Sequence, residues 1–290
     1  MLAAMATVGW SLSGAFVRHL PGLTGWQINC WRGLFMALAL GVWLALRYRS
    51  SLPARVAEVP KVALVAAAAF FALGSTLYVT ALTMASTANV ACLTATAPIF
   101  TAMLSRAFNG ENPSKATWVA SFMALGGAAF IVQDGMEAGN LAGNLVALAC
   151  AMCWALQVNT LRRYRNVDMV PAMVLGGIGV FLVAGFWGGG FSVTGREMAI
   201  LAVMGVVQLA IPIVWFARSA RSVPAVIASL IVLLDTVLNP FWSYLTTGEK
   251  AAPQDFIGGA VIVAAVIISV LLGQRSAAVN AQARAKHGVV

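Results

Sequence analysis

Residues 81–132 read ALTMASTANV ACLTATAPIF TAMLSRAFNG ENPSKATWVA SFMALGGAAF IV. A small, polar opening runs into an apolar segment through Pro98. Gly110-Glu111-Asn112-Pro113 interrupts it, and a second apolar segment follows from Trp118 to Val132. The same grammar returns later in the chain. Ala217 to Val226 is small and polar, a long apolar run follows, and Gly248-Glu249 precedes Pro253 and a last apolar run from Phe256 to Leu272. Each copy predicts a helical hairpin that closes one half of the chain.

Composition agrees with hairpins built for lipid. Hydrophobic residues make up 61% of the 290 and charged residues 9%, with a mean hydropathy of +0.88. An ordinary soluble domain carries roughly 25% charged residues, so this chain reads as an all-α integral membrane protein. A spanning helix needs about 20 apolar residues, which leaves room for about ten spans and no separate catalytic domain. The net charge of +9 sits in short loops between apolar runs, where membrane topology accounts for it without nucleic acid. Cys30, Cys92, Cys150 and Cys153 all lie inside apolar runs. Cys150 and Cys153 have CxxC spacing but no second ligand pair or nearby His, so they are read as helix-packing residues with no metal or other cofactor. No cleaved leader is expected.

Ten helices are predicted, at about 2–18, 24–46, 60–80, 87–105, 116–133, 140–161, 170–188, 197–217, 223–245 and 254–273. Breakers separate them, among them Pro21-Gly22, Pro60, Pro113, Gly135 and Gly248. The tail from Gln274 is rich in Ala, Gln and Arg, and is expected to be disordered.

Loop charge sets the orientation. With the N-terminus inside, the inner loops hold Arg47, Arg49, Arg55, Lys61, Arg106, Lys115, Arg162, Arg163, Arg165, Arg218 and Arg221, and the tail adds Arg275, Arg284 and Lys286. The outer loops hold Arg18, Arg196 and Lys250. The positive-inside rule then puts both termini in the cytoplasm. Ten spans in two similar halves means five each. Because five is odd, the second half is inverted relative to the first. The expected units are residues 1–134, residues 140–273 and a cytoplasmic tail, 274–290. Inverted repeats of this kind place a substrate site near the midplane, where the halves meet.

The order of small-polar helix start, Pro98-Ile99-Phe100, Gly110-Glu111 and a Gly/Ala-rich helix resembles the paired repeat of the drug/metabolite transporter superfamily, EamA family. Trp10-Ser11-Leu12-Ser13, Arg32 within Trp31-Arg32-Gly33-Leu34-Phe35, and Ala72-Leu73-Gly74 leading to Tyr78 match that pattern too. Leu234-Asp235-Thr236 through Pro240 and Trp242 resembles the second-repeat signature, with Asp235 for the usual Glu and Thr236 for the first Pro. Within the superfamily the chain most resembles the bacterial aromatic amino acid exporters. That resemblance implies an inner-membrane secondary transporter working by alternating access. A broad drug or metabolite exporter and a passive channel are the alternatives.

Charge inside a span costs roughly 2.5–3.5 kcal/mol on insertion scales, so it normally faces protein or water. Arg32 and Asp235 qualify. Arg32 lies about eight residues into its helix, roughly 12 Å at 1.5 Å per residue. It either clamps carbonyls or headgroups, or partners a substrate carboxylate or Asp235. Asp235, near the midplane, is either a proton-coupling group or a structural partner.

Polar and aromatic residues also fall at helical spacing. Trp10 marks the first helix, Tyr78 the third, Asn89 and Thr96 the fourth, and Trp154 with Gln157 the sixth. Met204, Gln208, Ile211 and Trp215 share a face of the eighth, and Ser229 with Thr236 a face of the ninth. Any one stripe also serves as interhelical glue. Together they predict a cavity with aromatic walls and neutral polar groups, suited to a neutral or zwitterionic substrate. Gly126-Gly127 and Gly258-Gly259 mark the fifth and tenth helices as scaffold. The Gly-Glu pairs are read as helix-end devices favouring the next helix's dipole, with a gating ion pair as the alternative. No HExxH, GxSxG, Walker A or paired-carboxylate pattern is present, so no enzyme is expected.

Overall fold

The computed structural model describes residues 1–17, 19–85, 87–133, 141–187, 191–247 and 253–286, and among them every regular element is helical. We number ten helical segments. They are α1 (Leu2–Ser11 and Ser13–Val17), α2 (Gly25–Tyr48), α3 (Lys61–Met84), α4 (Thr87–Thr94 and Ala97–Asn109), α5 (Lys115–Val132) and α6 (Leu141–Arg163). The rest are α7 (Val170–Trp187), α8 (Gly195–Val203, Met204–Ala210 and Ile211–Ser219), α9 (Ala225–Val232 and Leu234–Thr247) and α10 (Pro253–Lys286).

Six of these, α2, α3, α4, α6, α7 and α8, are long and apolar enough to cross a membrane; α1, α5, α9 and α10 carry shorter apolar stretches. Large apolar side chains point outward, with Val62 77% and Phe186 86% exposed. Water would oppose that arrangement, whereas lipid accepts it.

Packing depends on small residues. A methyl group added to Gly127 would lie 2.8 Å from Gly258 O, and one on Gly258 would lie 2.5 Å from Gly127 O, so α5 and α10 touch backbone to backbone. The close packing expected of this pair from its glycines is present. Gly33 and Gly177 do the same for α2 and α7. Dispersion between close backbones holds such helices together where lipid removes the hydrophobic drive. Cys150 on α6 donates to Gly74 O on α3 at 3.3 Å, and Cys153 packs on the same glycine.

Three segments are broken and one is wound differently. α4 breaks at Ala95-Thr96, because Pro98 has no N–H to offer Thr94 O four residues back and its ring crowds that carbonyl. Ile99 N bonds Thr96 O instead, at 2.9 Å. α9 breaks at Leu233 with the same three-residue bonding, Leu233 N to Leu230 O and Thr236 N to Leu233 O. α1 is interrupted at Leu12. In α8, Met204–Ala210 forms a π-helical stretch, and Ile211 N reaches Val206 O five residues back.

Three expectations need correction. The tail is helical as far as Lys286 within α10, because its Ala, Gln and Arg residues favour helix even without an apolar face. A short helix, Leu52–Ala57, occupies the loop after α2. Glu111 does not serve the helix that follows it: Ser114 caps α5, accepting from Thr117 N at 3.1 Å, and the helix begins at Lys115, after Pro113. The Gly248-Glu249 pair, Arg18, Lys250 and Gly135 lie outside the described residues.

Candidate functional site

Glu111 reaches across the molecule. Gly110 ends α4 in the left-handed conformation (φ +66°) that a glycine adopts without strain, and this turns Glu111 toward α6 and α9. Its carboxylate pairs with Arg162 Nε at 2.7 Å and lies 3.9 Å from Arg165. It also accepts from Ala225 N, the first residue of α9, at 3.4 Å. Arg162 in turn donates to Ala220 O at 2.6 Å. Beneath this lies a buried polar knot in which Asn159 Oδ1 accepts from Asn109 (2.6 Å) and Ser105 (3.2 Å). Tyr48 donates to Asp168 at 2.6 Å beside it. The ends of α2, α4, α6, α8 and α9 are therefore stitched together at one end of the bundle. A groove of about 550 Å³ opens beside this seam, lined by Arg106, Arg162, Arg163 and Arg165.

Deeper in, three rings close on one another. Trp10 on α1 meets Trp154 on α6 edge-on at 5.6 Å and Phe216 on α8 at 5.1 Å; Trp154 and Phe216 are 5.7 Å apart. Gln157 lines the same pocket, with its amide nitrogen 3.2 Å from Met173 S and its carbonyl oxygen without a partner among the described residues. Gln208 donates to Trp10 O at 3.2 Å and likewise keeps a carbonyl oxygen without a partner. The free space between the three rings and Gln157 is about 20 Å³, enough for about one water molecule. The sequence-predicted Trp10, Trp154, Gln157 and Gln208 thus come together, but they close a floor where an open cavity was expected.

Phe216, not Trp215, completes that floor. The expected face of α8 assumed an unbroken α-helix from Met204 onward. The π stretch inserts one residue, which turns everything after it by about 100°, one residue's rotation in an α-helix. Trp215 therefore packs elsewhere in the surrounding core, partly buried. Pro212, whose missing N–H belongs to this stretch of α8, offered the one sequence signal of irregularity.

On the far side of this floor lies a second group. Tyr78 on α3 is 42% exposed, yet it is within electrostatic reach of Arg32 on α2, Cys150 on α6 and Asp235 on α9. Arg32 Nη2 donates to Asn29 Oδ1 at 3.0 Å, and Asn29 is itself held by Ser75, whose hydroxyl donates to the same oxygen at 2.8 Å. Arg32 Nε is buried and has no partner among the described residues. Asn29 and Ser75 were not anticipated as part of this group.

Three predicted site residues sit apart from both groups. Ser229, fully buried, accepts from Thr101 at 3.3 Å and joins α9 to α4. Asn89 bonds Asn144 on α6 at 3.4 Å. Thr96 turns back on Leu93 O at 2.6 Å, in the break of α4. Each of these contacts ties backbone or helices together.

The family model described as "EamA-like transporter family" matches the chain over residues 1–133 and 141–271. No curated protein matches it in sequence. A solved structure titled "Crystal structure of protein" shares 17% of its residues and superposes with a TM-score of 0.83, over 94% of this chain and 97% of the other. At that identity the likeness is one of fold.

Proposed function

The chain belongs to the EamA-like transporter family, and on that basis we propose that it exports amino acids, above all aromatic ones, and similar neutral metabolites from the bacterial cytoplasm. In this proposal ten helices span the plasma membrane with both termini inside, as two inverted repeats, 1–134 and 140–273, and alternate access to a central site.

Several features support the repeat. The helix pairs α2–α7 and α5–α10 each combine equivalent members of the two halves. α3 packs on α6 and α7 as α8 packs on α1 and α2. The breaks of α4 and α9 fall in equivalent helices with equivalent bonding. Inner loops rich in Arg and Lys support the orientation.

The observation that carries the substrate class is the ring cluster. Trp10 comes from one half and Trp154 and Phe216 from the other, with the unpartnered carbonyl oxygens of Gln157 and Gln208 beside them. Separating the halves would expose three aromatic faces and two acceptors to a solute. That surface suits a flat apolar body better than a phosphate, which would call for clustered cations. In this reading the Glu111–Arg162 seam closes one end, and the ring cluster lies between that seam and Tyr78.

The test is counterflow in liposomes, with radiolabelled tryptophan, phenylalanine and a panel of other amino acids. Saturable uptake, accelerated by unlabelled aromatic amino acid inside, is the expected result. Flux that rises linearly without counterflow would mean a channel, and no exchange of any amino acid overturns the substrate class.

A further inference from the structure

We propose that Arg32 is an anion-binding residue for the transported solute, taking its carboxylate with Tyr78 as the second donor. This rests on the reading of the central space as the transport site, and goes beyond it by naming the polar group that orients the solute.

Arg32 carries five donors on a fixed plane. Among the described residues one of them is used, Nη2 to Asn29 Oδ1, while Nε is buried and unpartnered. Among the described residues no carboxylate lies within ion-pair distance of it, and it donates to no backbone carbonyl. A structural clamp on carbonyls would use those donors, and a headgroup anchor would face lipid. Arg32 does neither: its Nε is buried, and the neighbours it meets are the side chains of Asn29, Ser75 and Tyr78 on α2 and α3. A desolvated cation without a counter-charge is costly in a span, and an anionic solute removes that cost only while it is bound.

The setting selects the anion. Asn29 is buried and fixed by two hydrogen bonds to Ser75, its amide to the carbonyl at 3.4 Å and its oxygen from the hydroxyl. It therefore acts as a positioning residue that aims the guanidinium. The Tyr78 hydroxyl makes no hydrogen bond among the described residues, so it is available as a neutral donor beside Arg32. Asp235 lies within electrostatic reach of the same tyrosine. One cation beside one neutral hydroxyl donor matches a monoanionic carboxylate. A phosphate dianion would meet Asp235 with like charge.

Binding is measured on the purified protein in nanodiscs by calorimetry, with two matched pairs: phenylalanine against phenylalaninamide, and hydrocinnamate against hydrocinnamamide. The wild type should prefer each carboxylate over its amide by about ten- to a hundredfold, the worth of a hydrogen bond to a charged group. Arg32→Gln should bring both ratios close to one. Asn29→Ala, which leaves the cation in place, should lower them with little change in amide binding, a pattern that general unfolding would not give. A wild-type preference for hydrocinnamate without binding of phenylalanine keeps the Arg32 site and overturns the amino acid substrate. Equal binding of acid and amide by the wild type, or an undiminished preference in a folded Arg32→Gln protein, overturns the Arg32 site.

Discussion

Glu111 and Arg162, 51 residues apart, form a 2.7 Å ion pair in which the arginine side chain is only 10% exposed and the glutamate 24%. The pair joins the loop after α4 to the end of α6, and through Ala220 and Ala225 it reaches the α8–α9 loop. Glu111→Gln leaves Arg162 without its counter-charge, so it should lower stability by about 1–3 kcal/mol. Thermal unfolding in detergent measures this. A cycle with Arg162→Gln should show coupling of more than about 0.5 kcal/mol. The same substitution should speed labelling of a cysteine placed at Leu161 by a reagent added at that end.

The ring cluster makes a sharper prediction about neighbours in sequence. Phe216→Leu should reduce amino acid counterflow at least severalfold, whereas Trp215→Leu should leave it near wild type. Equal effects would mean that the turn introduced by the π stretch is irrelevant to transport. Trp154→Ala and Gln157→Ala should both impair uptake while the protein stays monodisperse on size exclusion. Unchanged transport by both would remove α6 from the site.

Asp235 is the coupling candidate. If it carries the proton, Asp235→Asn should still exchange substrate between equal pools but lose its response to an imposed pH gradient. A pH response that survives the substitution assigns coupling elsewhere.

The contact of α5 with α10 has no slack. Gly258→Ala would place a methyl 2.5 Å from Gly127 O and from Ile131, and should destabilise by about 1–3 kcal/mol. Gly126→Ala, where nothing lies within 4 Å, is the matched control and should be close to neutral. Thermal unfolding of the two variants side by side decides it.

Apolar length made the ten segments legible, and nine of them lie within four residues of their expected ends. The break of α4 was legible in principle from Pro98, but that of α9 carries no such marker at Leu233. Helix faces were harder. A soluble helix announces its buried side by a polar stripe on the other. In α3 or α7, lipid and core ask for the same apolar side chains, so the sequence carries no contrast to read. Thus Trp10, Trp154 and Gln157, conspicuous for their polar or aromatic chemistry, were expected together and do lie together. Asn29 was missed beside the more conspicuous Arg32, and Phe216 was hidden among apolar neighbours. For Ser229 and Asn89 the sequence leaves ligand and glue open, and their partners Thr101 and Asn144 could not be read from it.

The π stretch of α8 has no counterpart in α3, which is α-helical from Lys61 to Met84. In a carrier made of two related halves, perfect symmetry would give the inward- and outward-facing states equal free energy. One extra residue in one helix removes that degeneracy. On the proposed alternating-access reading, the empty carrier would therefore rest unequally on its two sides, and one of its two reorientation steps would be the slower.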